Sequence, residues 1–119
     1  MNETADLPLD GIRVIEFTHM VMGPTCGMIL ADLGAEVIKI EPPGGDKTRK
    51  LPGLGIGFFR TFNRNKKSVV LDIHSLEGHA TALELIGGCD VMLENFRPGL
   101  MAKLGLDHET LARKFPRLI

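Results

Sequence analysis

Asn95, Phe96 and Arg97 follow the apolar run Val91-Met92-Leu93 and precede the turn pair Pro98-Gly99. An amide that both donates and accepts, a flat ring and a forked cation could hold a ring system beside a phosphate or carboxylate. The competing reading is that Phe96 closes a core and Arg97 is solvated. A second cluster lies in Thr18-His19-Met20-Val21-Met22-Gly23-Pro24, where a strand turns into a helix and bares backbone N–H groups that suit an anion. No G-x-G-x-x-G fingerprint occurs there, although Glu41 falls where a nicotinamide-binding fold places its ribose acid. His19 alone reads more readily as a structural histidine. A third cluster is the basic window Lys47, Arg49, Lys50, Arg60, Arg64, Lys66 and Lys67, which has no acid between its ends. It suits a phosphorylated small ligand or, more simply, a solvated loop. Phe58, Phe59 and Phe62 read as anchors of that loop.

Other chemistries find little support. The four histidines and two cysteines show no metal-ligand spacing, so no metal is expected. Ser68 and Ser75 lack a nucleophile elbow. Asp32 and Glu36 read as a solvated edge, and Cys26 as a small core residue. A net charge of −1 and only six aromatic residues, all Phe, argue against nucleic acid. The longest apolar stretch, around Met20–Ala31, is too short and too broken by Gly and Pro to span a bilayer. Two distant cysteines and an acidic N-terminus without a signal pattern point to a reduced, cytoplasmic setting.

These groups need strands to carry them. The β-branched runs 12–17, 36–40, 68–73 and 90–94 read as strands. Helices are expected over 24–33, stopped by Gly34, over 76–86, capped by Ser75, and over 98–104 and 108–114, the last capped by Asp107. Residues 1–10 read as a flexible leader and 42–63 as a long Gly- and Pro-rich loop. Residues 117–119 read as the start of a fifth strand. Strand–helix–strand units of this spacing imply a parallel sheet with right-handed crossovers. The expected architecture is an α/β, Rossmann-like parallel sheet with flanking helices, incomplete at its C-terminal side. The 119 residues make one modest domain.

The ordered blocks resemble CoA-transferase family III, which includes formyl-CoA:oxalate and carnitine CoA-transferases and has α-methylacyl-CoA racemases as relatives. They are Leu9–Glu16, Gly23-Pro24, Leu30–Glu41, Gly45-Asp46 with Arg49, Asn63–Ser68, Leu71-Asp72, Glu77-Gly78, Asp90-Val91, Glu94–Gly99, Leu104–Leu106 and Pro116–Ile119. The resemblance implies that residues 11–119 form a CoA-binding N-terminal segment, with coenzyme A or acyl-CoA as substrate. By analogy Met20, Val21 and Met22 line the adenine and phosphate end, and Leu71 and Ile73 pack near the adenine. Asn95 and Phe96 touch the CoA chain, and Lys103 meets a phosphate. Three positions depart from some members: Val21 replaces Gln, Pro42 replaces Arg, and His74 replaces Lys. The resemblance places the family's catalytic Asp beyond residue 119, so no catalytic residue is assigned, and the chain alone is expected to be inactive. It also implies self-association, because family members form interlocked dimers. The alternatives are a free-standing CoA-binding or assembly module, a folded remnant, and the N-terminal part of a racemase.

Overall fold

Along Arg13–Phe17 (β1) and Glu36–Glu41 (β2), successive side chains point to opposite faces, and both faces are covered. The computed structural model describes residues 6–119, so part of the leader expected over residues 1–10 lies outside the described residues. Two further strands, Lys66–Val70 (β3) and Val91–Glu94 (β4), complete an all-parallel sheet in the order β3-β2-β1-β4. Ile15 stands opposite Ile38 on one side and Met92 on the other. Ile119 adds ladder contacts beyond β4: its N–H donates to Asp90 O at 3.1 Å, and its carbonyl accepts from Met92 N at 2.8 Å.

Among the described residues five helices flank the sheet: Met22–Asp32 (α1), Phe58–Phe62 (α2), Leu76–Gly87 (α3), Leu100–Lys103 (α4) and His108–Lys114 (α5). One face is the larger core. There Ile15, Phe17, Ile38 and Ile40 pack against Ala82 and Ile86 of α3, Met101 of α4 and Leu111 of α5. On the other face Val14 and Val37 meet Ala31 of α1. Among the described residues no helix is long and apolar enough to cross a membrane.

The helix boundaries follow local chemistry. Ser75 Oγ accepts from Gly78 N at 3.0 Å, and Asp107 Oδ2 accepts from Thr110 N at 3.2 Å, so both expected caps are in place. Gly78 can have no side chain, because a Cβ there would overlap the carbonyl of Asp72. Gly34, at φ +106°, takes the chain out of α1 through a backbone region that favours glycine. Pro24 sits in the first turn of α1, two residues after its start, where no intrahelical N–H is required.

Three expectations are corrected. Strand β3 runs two to three residues earlier than 68–73, because Lys66 and Lys67 find acidic partners that let them join the sheet. The loop 42–63 contains two 3-10 turns, Lys47–Lys50 and Gly53–Gly57, followed by α2. Cys26 is exposed rather than in the core. The sheet-facing side of α1 is formed by Pro24, Gly27 and Ala31, and Cys26 lies about 100° round the helix from Gly27.

Candidate functional site

β1 has β2 on one side and β4 on the other, so a crevice opens where the chain leaves the carboxyl ends of β1 and β4. Open α/β sheets bind ligands at such a switch point. Here the side chain of Asn95, which follows β4, bridges the crevice. Its Nδ2 donates to His19 O at 2.9 Å, and its Oδ1 accepts from His19 N at 3.0 Å. The His19 ring stacks on Phe96 with centroids 5.2 Å apart and planes 19° from parallel. The first turn of α1 presses on this clamp. A Cβ on Gly23 would come within 2.7 Å of both Asn95 Cγ and Thr18 Cγ2.

Beside the clamp lies a cavity of about 710 Å³, within the usual range for a small-molecule site. Phe17, Ile40, Leu71, Ile73, Phe96 and Leu104 supply apolar walls, and Lys47, Asp72, His74, Arg97 and Lys103 supply polar ones. Of the residues singled out from sequence, Leu71, Ile73, Phe96, Arg97 and Lys103 all border this space. Asn95 does not line it, because its amide is occupied by the His19 backbone. Met20, Val21 and Met22 do not line it either. Met20 N–H donates to Thr48 Oγ1 at 2.9 Å, Val21 occupies the N-cap of α1, and Met22 projects outward at 81% exposure. Sequence reasoning missed Pro43 as a lining residue, noted Pro42 and His74 only as departures, and named Lys47 only as one member of the basic window. Pro42 and Pro43 directly follow β2, so proximity to a strand's carboxyl end was the available signal.

Under α1, the sheet carries charge where an apolar face would be expected. Glu16, Lys39 and Glu41 are all buried. Lys39 Nζ lies 3.0 Å from Asp46 Oδ2 and 3.9 Å from Glu16 Oε2, and donates to Thr18 O at 2.8 Å. Lys66 Nζ reaches Glu16 Oε1 at 2.8 Å and donates to Pro24 O, also at 2.8 Å. Burial is the main influence on the Lys66 ammonium and lowers its pKa, against the opposing pull of Glu16. Thr48 N donates to Asp46 Oδ1 at 2.9 Å. Through Lys39, Asp46 and Thr48, the loop after β2 is therefore tied to the turn after β1, which positions His19.

The basic window is largely neutralised by acids outside it. Arg49, Arg64, Lys66 and Lys67 pair with Glu41, Asp32, Glu16 and Glu36. This corrects the reading of that window as one cationic ligand patch; of its members, only Lys47 borders the cavity. Glu41 is not free to bind a ribose. Arg49 Nε and Nη2 donate to it at 2.8 and 2.7 Å, and Ser68 Oγ and Asp46 N each donate at 2.8 Å. The Arg49 hydrogen bonds outweigh burial and hold the Glu41 carboxyl at about 2. A carboxyl with a depressed folded-state pKa contributes stability above its ordinary value, and that contribution is lost as pH falls through the folded value. Acid unfolding should therefore steepen between about pH 4.5 and about pH 2. Glu41→Gln should flatten that part of a stability-versus-pH curve followed by circular dichroism. An unchanged slope would remove Glu41 from the acid response.

The family model for CoA-transferase family III matches residues 9–119. The chain is 46% identical over 118 residues to a probable fatty acyl-CoA transferase, Rv3272, of Mycobacterium tuberculosis, covering 94% of this chain and 30% of that protein. It is 48% identical over 117 residues to an acetyl-CoA:oxalate CoA-transferase of Acetobacter aceti, with the same two coverages. A crystal structure of Rv3272 superposes with a TM-score of 0.89 at 47% identity, covering 95% of this chain and 32% of that one. A CAIB/BAIF family protein from Brucella suis gives a TM-score of 0.87 at 39% identity, covering 96% and 32%. The chain thus spans about 30% of the length of these curated relatives. With the family pattern running from residue 9 to residue 119 over an α/β sheet of matching shape, the chain belongs to CoA-transferase family III.

Proposed function

We propose that this chain forms the CoA-binding part of a CoA-transferase that moves CoA between an acyl-CoA and a carboxylic acid. The observation that carries the reading is the cavity at the carboxyl end of the sheet. Its walls are apolar and its rim bears Lys47, Arg97 and Lys103, a combination that fits a long, largely uncharged arm ending in phosphates. Leu71, Ile73 and Phe96 bind the less polar parts of CoA, and Arg97 and Lys103 meet phosphate. Asn95 contributes by shaping the crevice. Met20, Val21 and Met22 contribute through the turn that carries His19. The two curated relatives named above are described as an acetyl-CoA:oxalate CoA-transferase and a probable fatty acyl-CoA transferase, which favours a transferase over a racemase.

The chain by itself binds CoA without transferring it. Of the carboxylates on the cavity wall, Asp46 is engaged by Lys39 and Thr48, and Asp72 Oδ1 accepts from His74 N at 3.1 Å. Neither is poised as the nucleophile that covalent acyl transfer requires. The protein is cytoplasmic and self-associates through the open edge of β3 and the exposed Met22 and Ile29 of α1 with Leu33 just after it.

Calorimetric titration with CoA tests the binding reading. Saturable binding is expected, weakened about tenfold by Arg97→Ala or Lys103→Ala through the loss of a charge-assisted contact. No heat at millimolar CoA would refute it. Turnover by the isolated chain with several acyl-CoA donors would refute the claim of inactivity.

A further inference from the structure

The helix α4 carries Lys103 to the cavity wall and is too short to fix that position by itself. It has four residues, and a single helical turn costs more backbone entropy than its hydrogen bonds return. Its start at Gly99 has no side-chain cap, and Met101 is its one buried residue. At the other end, the carbonyls of Leu100, Met101 and Ala102 accept from the backbone N–H groups of Leu104, Leu106 and Gly105. The Leu104 carbonyl meets no backbone N–H among the described residues. It is met instead by the His79 ring, whose Nε2 lies 2.7 Å away. A carbonyl only accepts, so Nε2 carries the proton, and the uncharged ring keeps its lone pair at Nδ1. His79 is itself well anchored. It lies near the start of the twelve-residue α3, its backbone N–H donates to Ser75 O at 2.9 Å, and α3 packs on the sheet through Ala82 and Ile86. His79 does not border the cavity, whereas Gly99, Leu100, Lys103 and Leu104 all do. The ring therefore stands behind the wall to which Lys103 belongs and ties that wall to α3.

We propose that His79 is a positioning residue for phosphate binding: by donating Nε2–H to Leu104 O it fixes the end of α4 and so the reach of Lys103 into the cavity. This rests on the CoA-binding reading and extends it to a residue that touches no part of the ligand. The Lys103 ammonium is a point charge on a flexible stem, so the backbone from which it starts decides how much of its range overlaps a bound phosphate.

The test is calorimetric titration at about pH 8, above the ordinary histidine range, with CoA and with pantetheine, which lacks the phosphates. His79→Phe keeps a ring in the same space and removes the donor. It should weaken CoA about fivefold, less than Lys103→Ala does, and leave pantetheine unchanged. In a Lys103→Ala chain the same substitution should cost almost nothing further, because the group it positions is gone. His79→Gln, whose amide restores an N–H donor, should recover part of the affinity. A change that only loosened the fold would lower the melting temperature without depending on Lys103 or on the ligand's phosphates. In the unsubstituted chain, nitrogen spectra of histidine-labelled protein should show His79 protonated at Nε2 and bare at Nδ1 at that pH, a measurement that needs neither variant to fold. The opposite tautomer, equal losses for CoA and pantetheine, or an undiminished loss in the Lys103→Ala chain would overturn the assignment while CoA binding stood. So would a Lys103→Ala chain that binds CoA as tightly as the unsubstituted one. If the unsubstituted chain does not bind CoA, the CoA reading fails and the assignment fails with it.

Discussion

Lys39→Met lowers the unfolding free energy by about 3–5 kcal/mol, the usual cost of removing one partner from a buried ion pair. Lys39 is 1% exposed and its partners Asp46 and Glu16 are 3% and 0% exposed, so water is a poor substitute for the lost ammonium. Apart from Glu41, which Arg49 neutralises, the layer holds two carboxylates, Glu16 and Asp46, against two ammoniums, Lys39 and Lys66. With Lys39 gone, Lys66 still reaches Glu16, but Asp46 Oδ2 loses its counter-ion and Thr18 O loses its donor. Methionine fills similar space and leaves almost no cavity, so the penalty is electrostatic.

That origin gives a sharper expectation for the double variant Lys39→Met with Asp46→Asn. Removing both charges takes away the uncompensated carboxylate, and a substantial part of the loss should return, because replacing both partners costs far less than replacing one. Urea unfolding at neutral pH measures both effects as a change in midpoint at constant slope. A single-variant loss below about 1 kcal/mol, or a double variant no better than the single one, would show that the layer tolerates charge through local solvation. The variants should also differ near the ligand crevice, since Lys39 ties the turn before His19 to the loop after β2.

The uneven legibility of this chain follows from the same physics. Strands β1, β2 and β4 and the caps at Ser75 and Asp107 depend on neighbours a few residues away, and each stood out in the sequence. Strand β3 was displaced in the sequence reading because Lys66 and Lys67 look like loop residues until Glu16 and Glu36, 50 and 31 positions away, are brought beside them. The short turns at 47–57 and the five-residue α2 are too brief to show helical periodicity. Of the residues that line the cavity, Phe96 and Arg97 stand out in the sequence because they follow a strand, whereas Leu71, Ile73 and Lys103 are implied by the family resemblance alone, Leu71 and Ile73 reading as part of a strand that ends at Val70. Their roles depended on strand order. An amide after β4 can face a ligand or face the turn after β1, and only the adjacency of β1 and β4 decides for the turn.

Asn95→Ala should therefore act on fold and ligand together, with a loss of about 2–4 kcal/mol in stability from leaving the part-buried His19 N–H and carbonyl unsatisfied. Asn95→Asp is the more informative substitution. It keeps the shape and the acceptor that meets His19 N–H, but sets a second carboxylate oxygen against His19 O, which already accepts. Repulsion replaces one hydrogen bond, so Asp should be at least as damaging as Ala at neutral pH, and should improve as acid protonates the new carboxyl. If Asn95 instead met the ligand directly, both variants would melt near the unsubstituted temperature and lose only CoA affinity. Thermal unfolding in the absence of ligand separates these outcomes. A melting point within about 2 °C of the unsubstituted chain for both variants would correspond to well under 1 kcal/mol and would return Asn95 to the ligand. A fall several times larger, with CoA affinity declining beside it, identifies the amide as the brace that holds the crevice open and the His19 ring in place.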